Sequence, residues 1–121
     1  MNASTNIAKR VNELIDKYSN SQNSVQYLLC DQYPQNKLAY KIINENMQEY
    51  NLSYGELKTQ STLIANGLKK RGIKRGDRIA TLMGKSKEYI ITLLAIWRIG
   101  AVHVPLSVSY THLRAHETIP D

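Results

Sequence analysis

The chain has 121 residues, 42% of them hydrophobic, enough for one domain with a core. Sixteen Lys and Arg against ten Asp and Glu give a formal charge of +6, and the single cysteine, Cys30, excludes an internal disulfide framework. No stretch approaches the roughly eighteen apolar residues of a membrane span, and the start MNASTNIAKRVNELIDK is too polar for a secretory leader, so a soluble protein of the reducing cytoplasm is expected. The sequons Asn2-Ala3-Ser4 and Asn51-Leu52-Ser53 have no bearing in that compartment. The eight Tyr, one Trp and absent Phe carry no chemistry of their own.

Residues 5 to 18 place Ile7, Val11, Leu14, Ile15 and Tyr18 on one helical stripe, with Lys9, Arg10, Asn12, Glu13 and Lys17 opposite. Such a stripe is expected to pack on its own domain, because a membrane-surface helix needs a more basic polar face and a bulkier apolar one. Residues 19–23 are polar turn material. Ser24 then caps a short helix through Val25, Leu28, Leu29 and Cys30 that ends before Pro34. From Lys37 the period becomes two: Leu38, Tyr40 and Ile42 alternate with Lys37, Ala39 and Lys41. Asn44-Glu45-Asn46 suits a turn, and Tyr50 to Ser53 returns as the partner strand of a β-hairpin.

Ser53 with Glu56 three residues on forms a capping box, in which each side chain takes up the other's backbone N–H, so a helix begins at Tyr54. Its inner face is Leu57, Ser61, Ile64, Ala65 and Leu68. Gly72 supplies the left-handed residue that ends it, where Lys69, Lys70 and Arg71 meet the negative end of the helix dipole. After the turn Ile73 to Asp77, the run Arg78 to Met83 suits a strand buried on both faces. Lys87 to Ile99 is a helix that is apolar over most of its surface. It is followed by Gly100, then a strand from Ala101 to Val104 whose pairing Pro105 should break. Two strands joined by a helix make a right-handed parallel crossover.

The charge excess is concentrated in Lys69, Lys70, Arg71, Lys74, Arg75 and Arg78. Phosphates of a nucleic acid could engage such a cluster, but no reading helix or interleaved aromatic accompanies it, and a solvated helix end accounts for it; no nucleic-acid partner is expected. Gly84-Lys85-Ser86 imitates the end of a P-loop, yet Ile79 stands where that motif needs its first Gly, so a strand-to-helix turn capped by Ser86 is the better reading. His103, in an apolar strand, has no second ligand at metal spacing, and Cys30 has no neighbouring base.

Several pieces then fall in a fixed order: the hairpin leading into Ser53-Tyr54-Gly55-Glu56-Leu57, Ala65-Asn66-Gly67-Leu68, and Gly72-Ile73-Lys74-Arg75-Gly76-Asp77-Arg78-Ile79-Ala80. Leu82-Met83, Ser86 with Glu88 and Tyr89, and the run Leu94 to Leu106 follow. Together, over roughly residues 20 to 106, they resemble the N-terminal end of the adenylate-forming (AMP-dependent synthetase/ligase) superfamily of acyl-CoA synthetases, luciferases and peptide-synthetase adenylation domains. The implied fold class is α/β, a partial N-terminal subdomain in which a β-hairpin is followed by a parallel βαβ crossover with covering helices. Within the superfamily, the wording Ala80 to Ser86 and Ile96-Trp97-Arg98 is similar to acyl-CoA synthetases acting on small carboxylic acids.

The resemblance implies a two-step ligase. A carboxylate attacks the α-phosphorus of ATP to give an acyl-adenylate and pyrophosphate, and the thiol of CoA then displaces AMP. ATP, Mg2+, CoA and a small carboxylic acid would serve the parent enzyme. The family's phosphate loop, adenine-site motif, ribose-binding Asp and C-terminal adenylation Lys all lie further along such a chain. The resemblance therefore assigns no catalytic, cofactor-binding or metal-ligating residue here, and this polypeptide alone is expected to be inactive. Two alternatives stand beside this reading: an adenylating enzyme that loads a carrier protein, and a stand-alone small α/β binding module with a basic contact surface.

His112 and His116 have the spacing of a helical metal pair, but they fall in a run, Val108 to Thr118, that resembles residue for residue one reading frame of a transposase adapter used in sequencing libraries. Residues 1–107 are thus expected to belong to the AMP-dependent synthetase/ligase domain. Residues 108–121 are expected to be a non-native tail, with the natural protein continuing differently after Leu106 or Ser107. Strands lacking their sheet partners would leave apolar faces and an open edge, so the isolated polypeptide should be poorly soluble or partly molten.

Overall fold

The computed structural model describes residues 2–107. In chain order they form α1 (Ala3–Tyr18), a π-helical turn (Tyr27–Asp31), β1 (Leu38–Ile43), β2 (Glu49–Ser53), α2 (Tyr54–Lys70), β3 (Arg78–Leu82), α3 (Lys87–Arg98) and β4 (Val102–Leu106). β1 and β2 pair antiparallel, while β3 and β4 pair parallel across the α3 crossover, giving two separate two-stranded sheets. This is the α/β arrangement the sequence predicts. α2 packs on α3, and the core divides into two clusters along them. Cys30, Leu52, Leu57, Ile91 and Leu94 lie toward the hairpin; Ala65, Ala95, Ile96, Ile99 and Ala101 lie toward the parallel pair.

The helix ends follow their local chemistry. Ser53 Oγ accepts from Glu56 N at 3.1 Å and starts α2, as expected. The reciprocal half of the capping box is not formed: Glu56 Oε1 instead accepts from Tyr50 Oη and from Gln60 Nε2, each at 3.0 Å. A tertiary donor has displaced the local one. At its other end Gly72, at φ +91°, lets its own N–H reach Lys69 O and the N–H of Ile73 reach Leu68 O. α3 repeats the pattern: Ser86 Oγ accepts from Tyr89 N, and Gly100, at φ +71°, brings the N–H of Ala101 onto Ile96 O. Along α2, Leu57, Ser61 and Ala65 are buried, whereas Ile64, expected beside them, lies at the exposed margin of the face.

Five expectations are corrected. Leu38, Tyr40 and Ile42 were to share one face of β1. A bulge sets Leu38 opposite Ser53 but Tyr40 opposite Leu52, so Ala39 is the extra residue. Ala39 therefore packs on the core with Ile42, and Leu38 turns to solvent. β3 was to be buried on both faces. Ile79 and Thr81 do face α3, but Ala80 and Leu82 are exposed, because no layer among the described residues covers their side.

Pro105, expected to end pairing, sits within β4 opposite Thr81. The N–H of Val102 points to Asp77 O, so strand alternation turns the Pro105 nitrogen outward, where β3 loses no hydrogen bond. Lastly, α1 forms as a capped helix, with Asn2 Oδ1 accepting from Thr5 N, but buries none of its residues; Ile7 is 64% exposed. The segment after Ser24 is also a π turn rather than an α-helix, closed by the N–H of Gln32 on Tyr27 O.

One glycine is fixed by close approach. The segment before β1 crosses the start of α2, where Gly55 N donates to Gln35 O at 2.8 Å and Tyr54 N donates to Lys37 O. The rings of Tyr33 and Tyr54 stack there at 4.5 Å. A Cβ on Gly55 would lie 2.9 Å from both Gln35 Cβ and Gln35 O, and the backbone oxygen cannot swing aside as a side chain could. Gly55→Ala is therefore expected to destabilise the chain by about 1–3 kcal/mol, read from urea unfolding followed by Trp97 fluorescence.

Candidate functional site

The carboxyl ends of the parallel strands form the strongest candidate site. In open α/β sheets ligands bind in the crevice beyond those ends. Here the crevice has a volume of about 370 Å³ and is lined by Met83, Gly84, Lys85, Tyr89, Pro105, Leu106 and Ser107. Its walls are mostly apolar, with the Lys85 ammonium and the amino end of α3, capped by Ser86, supplying positive charge at the mouth. Such a recess can receive an apolar group that carries an anionic end.

Gly84-Lys85-Ser86 serves this rim as the sequence predicts, as a turn whose serine caps α3. It builds no phosphate cradle, since β3 occupies the five residues Arg78–Leu82 just before it. Among the described residues no three His, Cys, Asp or Glu side chains converge as a metal would require. Behind the rim, Thr81 Oγ1 lies 2.7 Å from His103 Nε2, and the Tyr89 ring meets His103 edge-on at 6.0 Å. A hydroxyl beside an imidazole is the geometry of a nucleophile and its base. Neither lines the crevice, however, and Thr81 is buried, so the pair ties β3 to β4 beneath α3. His112 and His116 lie outside the described residues.

Cys30 is 1% exposed, and its thiol points to Tyr54 O at 3.5 Å. Burial, reinforced by the negative charge of Asp31, pushes the thiol up to about 11. It stays protonated near neutrality and behaves as the small hydrophobe the sequence implies.

Two polar constellations escape a sequence reading because their members lie far apart. Arg98, in the last turn of α3, donates from both terminal nitrogens to Asp31, at 2.9 and 2.6 Å, and from Nε to Ser61 Oγ at 2.8 Å. These bonds hold the Asp31 carboxyl below its ordinary range and raise the guanidinium. One side chain thereby ties the π turn, α2 and α3. In the second constellation, Lys87 Nζ donates to Tyr50 Oη at 2.9 Å, lies over the Tyr50 ring, and stands 3.9 Å from Glu56 Oε1. The bond to Tyr50 raises the Lys87 ammonium. The only local signal was a charged residue at each end of an apolar helix.

The geometry agrees with the comparisons. The sequence model of the AMP-binding enzyme family matches residues 29–121. The chain is 43% identical over 81 residues to an acetyl-coenzyme A synthetase of Chlorobaculum tepidum, covering 67% of this chain and 12% of that protein. It is 30% identical over 101 residues to the N-(5-amino-5-carboxypentanoyl)-L-cysteinyl-D-valine synthase of Penicillium rubens, covering 74% of this chain and 3% of that one. The crystal structure of an acyl-CoA synthetase of Brucella canis superposes with a TM-score of 0.69 at 31% identity, over 72% of this chain and 16% of that one. The chain thus spans a small share of the proteins it matches. Among the described residues no helix is long and apolar enough to cross a membrane. A capped helix feeding a parallel crossover, in the family's own order of residues, makes this chain a member of the AMP-binding, adenylate-forming enzyme family.

Proposed function

We propose that this chain is the opening portion of an ATP-dependent acid–thiol ligase that converts a small carboxylic acid to its CoA thioester in the cytoplasm. The observation that supports this most is the 43% identity over 81 residues to an acetyl-coenzyme A synthetase. On this reading residues 1–107 belong to the ligase domain and residues 108–121 are a non-native tail. The chain's own contribution is architectural: Arg98 and Lys87 lock α3, and α3 with the two parallel strands shapes one wall of the crevice. ATP, with Mg2+, would supply the activating chemistry in the whole enzyme, at residues outside this chain, and CoA would accept the acyl group.

A second reading, transfer of the acyl group to a carrier-protein phosphopantetheine, draws support from the likeness to the Penicillium synthase. Extending the reading frame in the source DNA tests both. A Ser/Thr/Gly-rich phosphate loop downstream is expected, and the full-length protein should exchange pyrophosphate into ATP in the presence of a short-chain acid. Thioester formation on free CoA supports the first reading, and on a holo carrier protein alone the second. A natural stop codon after residue 121, with a monomeric folded product, overturns both in favour of a small α/β binding module.

A further inference from the structure

We propose that the turn between α2 and β3, together with the cleft beside it, is a docking surface for an acidic protein segment bearing an apolar side chain, independent of the ligase reading. Lys69, Lys70, Arg71, Lys74, Arg75 and Arg78 fall within ten residues, and their six charges equal the whole formal excess of the chain. All six are exposed, and none joins an ion pair among the described residues, unlike Arg10, Lys41, Lys87 and Arg98. The one acid among them, Asp77, is occupied by the N–H of Lys74 at 2.7 Å.

The backbone beneath is held in place. Gly72 and Gly76 take positive φ, and Gly76 N donates to Gly100 O at 2.9 Å. The backbone that carries the cations is thus tied to the end of α3, beside the cleft.

Arg75 joins this platform to a second feature. Its stem lies against Gly100, and both line an open cleft of about 480 Å³ whose apolar wall is Val25, Trp97, Ile99 and Ala101. A recess with one apolar wall, a polar wall of Ser21, Ser24 and Gln26, and Arg75 joining it to the cationic turn suits an interface in which one apolar side chain anchors and carboxylates steer. No aromatic residue occurs between Lys69 and Arg78, so a single nucleic-acid strand finds no stacking platform along the turn. The turn stands at the amino end of β3, one strand length of ~16 Å from the crevice at its carboxyl end, so an occupant would leave that crevice open.

The test is fluorescence anisotropy on the full chain at sub-micromolar concentration. The probe is a labelled glutamate-rich peptide with a central leucine, compared with the same peptide carrying glycine there. The leucine peptide is expected to bind more tightly, and to weaken about tenfold when NaCl rises from ~0.05 to ~0.3 M. Lys70→Glu/Lys74→Glu should cost at least about tenfold, whereas the equal charge change Lys9→Glu/Arg10→Glu on α1 should stay within about twofold. Val25→Asp, at an exposed position, should remove the preference for leucine. Equal helical circular dichroism shows that each variant folds. Equal losses in the two charge variants, equal binding of the two peptides, or tighter binding of a DNA duplex than of either peptide would each overturn the proposal.

Discussion

Arg98→Ala is expected to lower the unfolding free energy by about 3 kcal/mol, the largest single-residue effect outside the apolar core. The pair is well shielded, with Arg98 and Asp31 side chains 11% and 21% exposed. Truncating the arginine leaves a largely shielded carboxylate without its bidentate partner and deprives Ser61 of its donor. The double change Asp31→Leu/Arg98→Met should recover much of the loss, since it removes both charges and keeps volume.

The pH dependence follows from the direction of the Asp31 shift. Bonds from Arg98 hold the folded carboxyl below the 3.8 of an ordinary Asp. Its stabilisation is therefore complete above that value and fades as pH falls through the folded pKa. Urea unfolding of the parent chain at a series of pH values should show this loss on the acid side of about pH 4, and Arg98→Ala should flatten it.

Self-association of the isolated chain is the second large effect expected. The face of β3 and β4 turned away from α3 exposes Ala80, Leu82, Val102 and Leu106, with Leu82 at 55%. Each leucine buried between copies is worth about 1.5–3 kcal/mol, so two can change an association constant by about a hundredfold or more. Leu82 and Leu106 are direct partners in the sheet. Leu82→Lys/Leu106→Glu places opposite charges across the pair, which preserves the sheet while making the face polar. In sedimentation velocity the parent chain should show species that grow with concentration, and the double variant should move their onset at least about tenfold higher. A sharp thermal transition in a monomeric sample of the parent chain would contradict the expectation.

How much was legible depended on how far each signal reached along the chain. Ser53, Ser86, Gly72 and Gly100 act within one helical turn, so the borders of α2 and α3 could be read from neighbouring residues. The parallel pairing followed from two apolar runs separated by a helix. The bulge at Ala39 was not legible, because a single inserted residue leaves the alternation on either side intact and only the partner strand reveals it. Burial of β3 was overestimated because an apolar run states what a strand could be covered by, not what the chain supplies. The bond from Arg98 to Asp31 spans 67 residues, and no periodicity encodes it. Of the candidate site, the capped turn Gly84 to Ser86 was readable, while the crevice needed the register of β4 to bring Pro105 and Leu106 beside it.

The stacked rings of Tyr33 and Tyr54 make the chain its own optical gauge. With centroids 4.5 Å apart and planes 22° from parallel, their transitions couple and should give a paired band in near-ultraviolet circular dichroism. Six other tyrosines and one tryptophan absorb in the same window, so the pair is read as the difference from a Tyr33→Leu variant. Its amplitude therefore reports whether the strap from Tyr33 to Lys37 is seated on the start of α2, without any label.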